Sequence, residues 1–395
     1  HSTGYQMKRV AFEERPYWKR QAAELGFTCH TMYGARYWDE RNAYEFTLPE
    51  IENDIEDPTA NLTELCYAAV DEITRDPALM RRMAIPDEFH AAVRDSWHRR
   101  DLDLYGRFDL AYDGNSPAKL LEFNADTPTS LYESAVFQWK WLEDMKKRGK
   151  LSAGADQFNS IHERLIEAFT HIGRNSPAIH FSAVLESEED RLTLEYLADC
   201  AVQAGCEVAT LDMSRIGVDE DDWLVDENDL RMATMFKLYP LEDMIREDFG
   251  VKLITTPTRI LEPLWKLVLS NKGLLPVLWD MQPNHGNLLP AYFSDDPRAI
   301  SISESHVRKP LLSREGANVT IVDPSVEGGR IDVDGPYGSE GFIVQKTHML
   351  PKFGDDWAVI GSWVVAGNPA GIGIREDDTP VTRNSSRFIP HYIGG

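Results

Sequence analysis

Apolar residues recur at helical spacing from residue 7 to about 104, with Pro58, Pro77 and Pro86 where helices would begin, and this predicts a helical N-terminal region. The period then changes to two. Arg107 and Asp109 fall on one face with Phe108 on the other, and beyond the turn signal Asp113-Gly114, Glu122 and Asn124 oppose Leu121 and Phe123. The alternation predicts a β-hairpin over about 105–124. A four-residue loop that sets Asp113 opposite Ala118 would bring Asp109 across from Glu122 and Arg107 across from Asn124. Thr127 then reads as an N-cap and Pro128 as the first residue of an aromatic helix ending near 148.

From about 156 to 262 helices alternate with short apolar strands, such as 178–185 and 207–211, as in a parallel α/β layer. The acidic stretch 219–229 reads as a solvated loop. After Pro263 an apolar, Trp-containing helical stretch runs to about 281 and strands dominate thereafter, two or three of them within 338–373. No internal repeat or low-complexity tract interrupts this order. The expected divisions are therefore 7–104, 105–155, 156–262 and 263–395, interleaved in space.

The length of 395 residues allows two or three packed lobes, and 42% hydrophobic with 27% charged residues is ordinary for a soluble globular protein; with the alternation above, the expected fold class is α/β, mixed with α+β. A formal charge of -24 argues against nucleic acid or an anionic membrane as partner, since both select basic surface. It permits a cationic substrate, but acidity that serves only solubility explains it equally. Four cysteines without a Cys-x-x-Cys pairing fit a reducing cytoplasm. No apolar run approaches the ~20 residues of a membrane span, and no charged-then-apolar leader is evident. Residues 1–6, before Met7, read as an expression-tag remnant.

Asp109 and Glu122, directly opposite on a hairpin, would repel unless a cation lay between them. Hard oxygen donors with the Asn124 amide beside them suit Mg2+, which takes one or two carboxylates and completes its shell with water and phosphates. Lys272, in a helical stretch, and Lys309, at a strand end followed by Arg314 and a small-residue loop, have the chemistry to neutralise polyphosphate. Each lysine alone is equally a surface residue. In 341–346, Gln345 and Lys346 end an apolar strand that either meets an adenine edge or merely surfaces. Arg375 ends a strand containing Gly371 and Gly373, where it could grip a carboxylate or phosphate bidentately or serve as a structural salt bridge. A helix start at Pro128 would offer free N–H groups to an anion, with hydroxyls from Thr127, Thr129 and Ser130; capping alone also explains Thr127. Gly-x-Ser-x-Gly, His-Glu-x-x-His, Rossmann and Walker signatures are absent.

Further motifs follow the same order along the chain: Glu14-Arg15-Pro16, 30–34 (HTMYG), 124–133 (NADTPTSLYE), 236–240 (FKLYP), Ser270-Asn271-Lys272, Lys309-Pro310, 314–318 (REGAN), 350–354 (LPKFG) and 371–375 (GIGIR). With them the chain after Met7 resembles the glutathionylspermidine synthase family, and above all its stand-alone bacterial acid–amine ligases. The resemblance implies a circularly permuted ATP-grasp fold with an inserted pre-ATP-grasp-like α/β lobe and a helical N-terminal region, metal carboxylates preceding the ATP-binding lysines. It implies ATP and two Mg2+ ions held by Asp109, Glu122 and Asn124, with phosphate contacts from Lys272 and Lys309 and a lid carrying Arg314. Arg107 and Arg375 would face the transferred phosphoryl group and the substrate carboxylate, while Glu189 and Asp190 fall at the family's acidic substrate-binding positions.

The sequence also departs from the bifunctional members of that family. It has no counterpart of their amidase domain, and Thr127-Pro128-Thr129-Ser130 replaces a Ser-x-Ser-Cys run that handles glutathione. The adenine-side lysine falls at or beside Arg383 and Asn384. The expected reaction joins a small-molecule or peptide carboxylate to an amine, polyamines among the candidates. Two rivals stand beside it: a phosphotransferase, and a nucleotide-binding protein without catalysis.

Overall fold

A computed structural model describes residues 6–395, so residues 1–5 of the tag-like segment lie outside the described residues. Its centre is an antiparallel sheet in the order Arg387–Ile389, Asn368–Asp377, Asp356–Val365, Tyr105–Ala111, Lys119–Asn124, with Lys352–Phe353 added beside Asp356–Val365. Asp356–Val365 and Asn368–Asp377 are buried along almost their whole length, because helices cover both faces. On one face Thr59 of the helix Asp57–Thr74 shares a 2.7 Å hydrogen bond with Ser362. On the other, Gln138 of the helical run 131–147 donates to the Ile372 carbonyl at 2.8 Å.

The parallel layer expected over 156–262 is present. Its strands lie in the order Arg259–Leu261, Thr234–Leu238, Ala178–Ala183, Glu207–Asp212, all parallel, with helix Ile161–Ile172 leading into Ala178–Ala183 and helix Glu188–Gln203 joining that strand to Glu207–Asp212. The acidic stretch is largely solvent-facing, although Leu224 and Val225 within it pair with Gly217–Val218 and are buried. A third sheet, antiparallel, has the order Ala291–Phe293, Phe342–Lys346, His306–Pro310, Thr320–Val322, Arg330–Asp332. Among the described residues no helix is long and apolar enough to cross a membrane. The four cysteines are buried free thiols.

The N-terminal region is less helical than its local pattern predicts. Lys8–Ala11 pairs with Asn42–Phe46, which pairs in parallel with His391–Ile393 at the far end of the chain. A partner almost 350 residues away leaves no mark in local periodicity. Helices dominate only from Leu48, where a Thr47–Glu50 capping box starts the run. Pro58 stands in the first turn of the helix Asp57–Thr74, which continues from the π turn Ile51–Glu56. Pro77 likewise stands at a helix start, capped by Asp76.

Candidate active site

The hairpin has the expected pairing at its functional end: Asp109 opposite Glu122 and Arg107 opposite Asn124. Nearer the turn Leu110 pairs with Leu120 and Ala111 with Lys119, so Leu121 is the extra residue of a β-bulge. The connection spans 112–118, longer than the four residues expected, and the pairing beside it is one residue out of the expected register, a shift the bulge absorbs. Behind the polar face, Phe108 and Phe123 stack with ring centroids 4.1 Å apart.

Asp109 is buried and accepts from Arg107 Nε at 2.8 Å. The Asn124 amide nitrogen lies 3.2 Å from Asp109 Oδ2 and 3.4 Å from Glu122 Oε1. Burial and then the neighbouring Glu122 push the Asp109 carboxyl up, against the pull of Arg107. Burial also pushes Glu122 up, but Lys272 and Lys309 together hold it below the usual carboxylate range. Three oxygen-bearing side chains thus converge on one point, where the amide group now lies between two carboxylates. Turning that amide by half a rotation would present a third hard oxygen, so the donor set fits a small divalent cation.

Lys272 lies in the turn between helices Lys266–Leu269 and Leu274–Met281, not within a helix. Its ammonium donates to Ser313 O at 2.9 Å and is 3.5 Å from Glu122 Oε2. Lys309 is buried near the end of its strand and donates at 2.7 Å both to Leu121 O and to Gln345 Oε1, and burial lowers its pKa to about 8. Gln345 in turn donates to Leu120 O at 3.0 Å. Its amide is therefore engaged in fixing Lys309, and Gln345 also lines the cleft beside it. Lys346 remains on the cleft wall.

These groups border a cleft of about 780 Å³ between the central and third sheets, walled by Leu121, Val307, Ile321, Leu350 and Val359. A second cleft, about 500 Å³, is lined by Arg107, Thr127, Thr129, Arg314, Arg375 and Asn384. Asp109 and Glu122 belong to both. Sequence reasoning did not find the apolar wall, because Val307 and Ile321 look like any strand residue until the sheets are stacked.

The helix expected at Pro128 begins instead at Leu131, with Ser130 O accepting from Ser134 N. Thr127 and Ser130 have left-handed backbones, φ 53° and 69°, and the chain between them is a loop. Asp126 fixes that bend, accepting from the Lys237 ammonium and from Leu241 N. The N-terminus of that helix therefore lies three residues beyond Pro128. Arg107 Nη1 donates to Thr129 O at 2.5 Å and reaches Ser130 Oγ at 3.5 Å, and Thr127 Oγ1 accepts from Arg314 Nη1 at 2.6 Å.

Arg375 is not a structural salt bridge. Its Nε donates to Ser386 O and its Nη2 to Arg383 O and Asn384 O, while Nη1 has no hydrogen-bond partner among the described residues. The three carbonyls hold the 383–386 loop against the cleft. Glu189 accepts from Asn384 at 3.2 Å, which puts the start of the helix Glu188–Gln203 beside that loop. Next to it, burial and Glu189 push Asp190 up to about 6.

Tyr37 and Glu133 were not found from sequence. Tyr37 donates to Glu133, and the Arg375 guanidinium lies 5.2 Å from the Tyr37 ring centroid. Burial, with Glu189 adding to it, raises Glu133 from 4.5 to about 7. Because the folded-state value exceeds the unfolded one, the native protein binds the extra proton, and stability falls as pH rises from about 4.5 to 7. Glu133→Gln removes that penalty. At pH 8 the variant is expected to exceed the parent by about 3 kcal/mol in denaturant unfolding, with most of the difference gone at pH 5.

Known proteins resemble the chain along nearly its whole length. The family model described as "Glutathionylspermidine synthase preATP-grasp" matches residues 9–394. The chain belongs to the glutathionylspermidine synthase family. Within that family it is 42% identical to the "Putative acid--amine ligase" of Haemophilus influenzae, covering 98% of this chain and 100% of that protein. It is 29% identical to the trypanothione synthetase of Crithidia fasciculata, over 81% of this chain. To the bifunctional glutathionylspermidine synthetase/amidase of Escherichia coli it is 25% identical, over 88%. It spans only 52% and 59% of those two longer relatives. A glutathione synthetase-like effector from Globodera pallida shares the mixed α/β fold, with a TM-score of 0.59 at 12% identity, covering 96% of this chain and 98% of that one.

Proposed function

We propose that this family member is an ATP-dependent carboxylate–amine ligase that forms an amide through an acyl phosphate. One observation carries the reading: Asp109 and Glu122, paired across the hairpin, form a wall common to an apolar cleft and an arginine-lined cleft. An adenine ring suits the first and an anionic acid suits the second. The order of the parts supports a circularly permuted ATP-grasp core made of 105–155 and 263–395, with 156–262 as the pre-ATP-grasp lobe.

Asp109, Glu122 and Asn124 would hold Mg2+, two ions by family resemblance, and the bound metal neutralises charge on the phosphoryl group in transfer. Lys272 and Lys309 supply fixed positive charge to the phosphates, Lys309 held rigid by Gln345. Lys346 borders the nucleotide cleft. A carboxylate oxygen of the acid attacks the γ-phosphorus, the bond to ADP breaks, and an acyl phosphate results. The amine nitrogen then attacks the acyl carbon, loses a proton, and inorganic phosphate leaves. Arg107 and Arg375 stabilise the oxyanions of both steps, Arg375 through its unengaged Nη1, each such contact worth about 3 kcal/mol of barrier. Arg314 closes the lid and excludes water that would hydrolyse the anhydride.

Thr127, Thr129 and Ser130 line the acid's side, while Glu189 and Asp190 offer negative charge to a cationic amine such as a polyamine. The reduced thiols suit a cytoplasmic enzyme. Incubation with ATP, Mg2+ and a panel of peptides, glutathione, amino acids and polyamines tests the reading. ADP release that needs both an acid and an amine, with an amide found by mass spectrometry, is the expected result. A stable phosphorylated acid would make the protein a phosphotransferase. Thermal stabilisation by ATP with no ADP from any pair would make it a nucleotide-binding protein.

A further inference from the structure

The loop 311–319 over the second cleft is fastened from two sides. On the nucleotide side Lys272 donates to Ser313 O at 2.9 Å and, through its backbone N–H, to Leu311 O at 3.0 Å. On the other side Arg314 Nη1 meets Thr127 Oγ1, in the loop after the hairpin, at 2.6 Å, and Nη2 crosses to the parallel-sheet lobe and meets Glu242 Oε1 at 3.1 Å. Glu242 stands in the short helix Leu241–Met244 that follows the strand Thr234–Leu238 and is 9% exposed. Its second oxygen, Oε2, is buried and has no hydrogen-bond partner among the described residues. A carboxylate with an unsatisfied buried oxygen is retained against a desolvation penalty, and the partner that offsets it is the guanidinium on the lid. Arg314 is itself mostly shielded from solvent, and Glu242 is the first charge that holds it protonated against burial.

We propose that Glu242 is a positioning residue that latches the lid: by holding Arg314 against Thr127 it closes the second cleft before any ligand arrives and fixes the guanidinium that will face the acid. The role of Arg314 toward the acid rests on the ligase reading; the latch does not. The third attachment of the loop, where Gly316 lies so near Val381 and Thr382 O that a side chain at Gly316 would clash with them, is apolar and lies outside the latch.

Hydrogen exchange of the unliganded protein reads the latch directly. The amides of Ala317 and Val319 donate within the loop, to Arg314 O and Gly316 O, and report its closure. Glu242→Ala is expected to speed their exchange about tenfold or more while amides of the central sheet are unchanged. Glu242→Gln keeps an acceptor for Nη2 and is expected to stay within about threefold of the parent. Thr127→Val, which removes the other end of the latch and leaves Glu242 in place, gives an independent increase should Glu242→Ala fail to fold. Loop exchange within about twofold of the parent in both Glu242→Ala and Thr127→Val, or in Thr127→Val alone if the other does not fold, would overturn the proposal. Stabilisation by ATP and Mg2+, measured on the same samples, tests the ligase reading separately. With an acid that supports turnover, Glu242→Ala raises the KM for the acid and leaves that for ATP unchanged; equal shifts in both would also overturn it.

Discussion

Asp109→Asn and Glu122→Gln are each expected to lower Mg2+-dependent ADP formation by at least about a thousandfold while the folded protein persists. Both substitutions keep shape and remove one negative charge from a point where the buried Asp109, the half-buried Glu122 and an amide converge. The folds should stand for an electrostatic reason. Burial and repulsion already push the Asp109 carboxyl up, so neutralising Asp109 relieves a conflict in the metal-free protein, whereas Lys272 and Lys309 hold Glu122 ionised and its neutralisation gives up that attraction. Without metal Asp109→Asn should therefore melt at or above the parent temperature and Glu122→Gln at or below it, and both should gain less from added Mg2+ and ATP. Steady-state ADP assays with melting curves at several Mg2+ concentrations check both halves. Parental turnover in either variant would remove the metal role of the hairpin.

Lys237→Met is expected to destabilise the protein by about 3–5 kcal/mol, because it leaves Asp126 charged and without its cation in the interior. Both side chains are fully buried, and among the described residues Asp126 has only the Leu241 N–H as a second hydrogen-bond partner, at 2.7 Å. The consequence reaches the site. Asp126 lies between Asn124, at the metal point, and Thr127, at the lid latch, so loosening it disturbs the left-handed loop through Ser130. Adding Asp126→Asn should recover part of the stability, since an amide costs less to bury unpaired than a carboxylate does. Urea unfolding of the parent, the single variant and the double variant measures the coupling.

The hairpin was legible because its two signals are local: alternation fixes the faces and Asp113-Gly114 marks the turn. Its pairing survived a wrong loop length because the bulge at Leu121 restored the register where the carboxylates lie. The parallel layer was legible for the same reason, as each strand carries its own apolar run. The loop at Thr127 was not, since a cap and a left-handed bend use the same residues and a lysine 111 positions away selects between them. The roles of Gln345 and Arg375 depended on which carbonyls the fold brings near, which no spacing encodes. A signal for the missed residues does exist. Lys237 stands inside the apolar strand Thr234–Leu238, and a charge in such a run announces a buried partner before the partner is known. The likeness of the 30–34 and 124–133 segments to the family had marked the neighbourhoods of Tyr37 and Glu133 without showing that they touch.

The account stands on an acid activated by phosphoryl transfer beside the hairpin, and isotope transfer tests that step most directly. With a substrate acid labelled with 18O in its carboxylate, together with ATP, Mg2+ and the amine, mass spectrometry of the products should find one 18O in each inorganic phosphate released and the other in the amide. Phosphate free of label, or label carried into AMP, would contradict it.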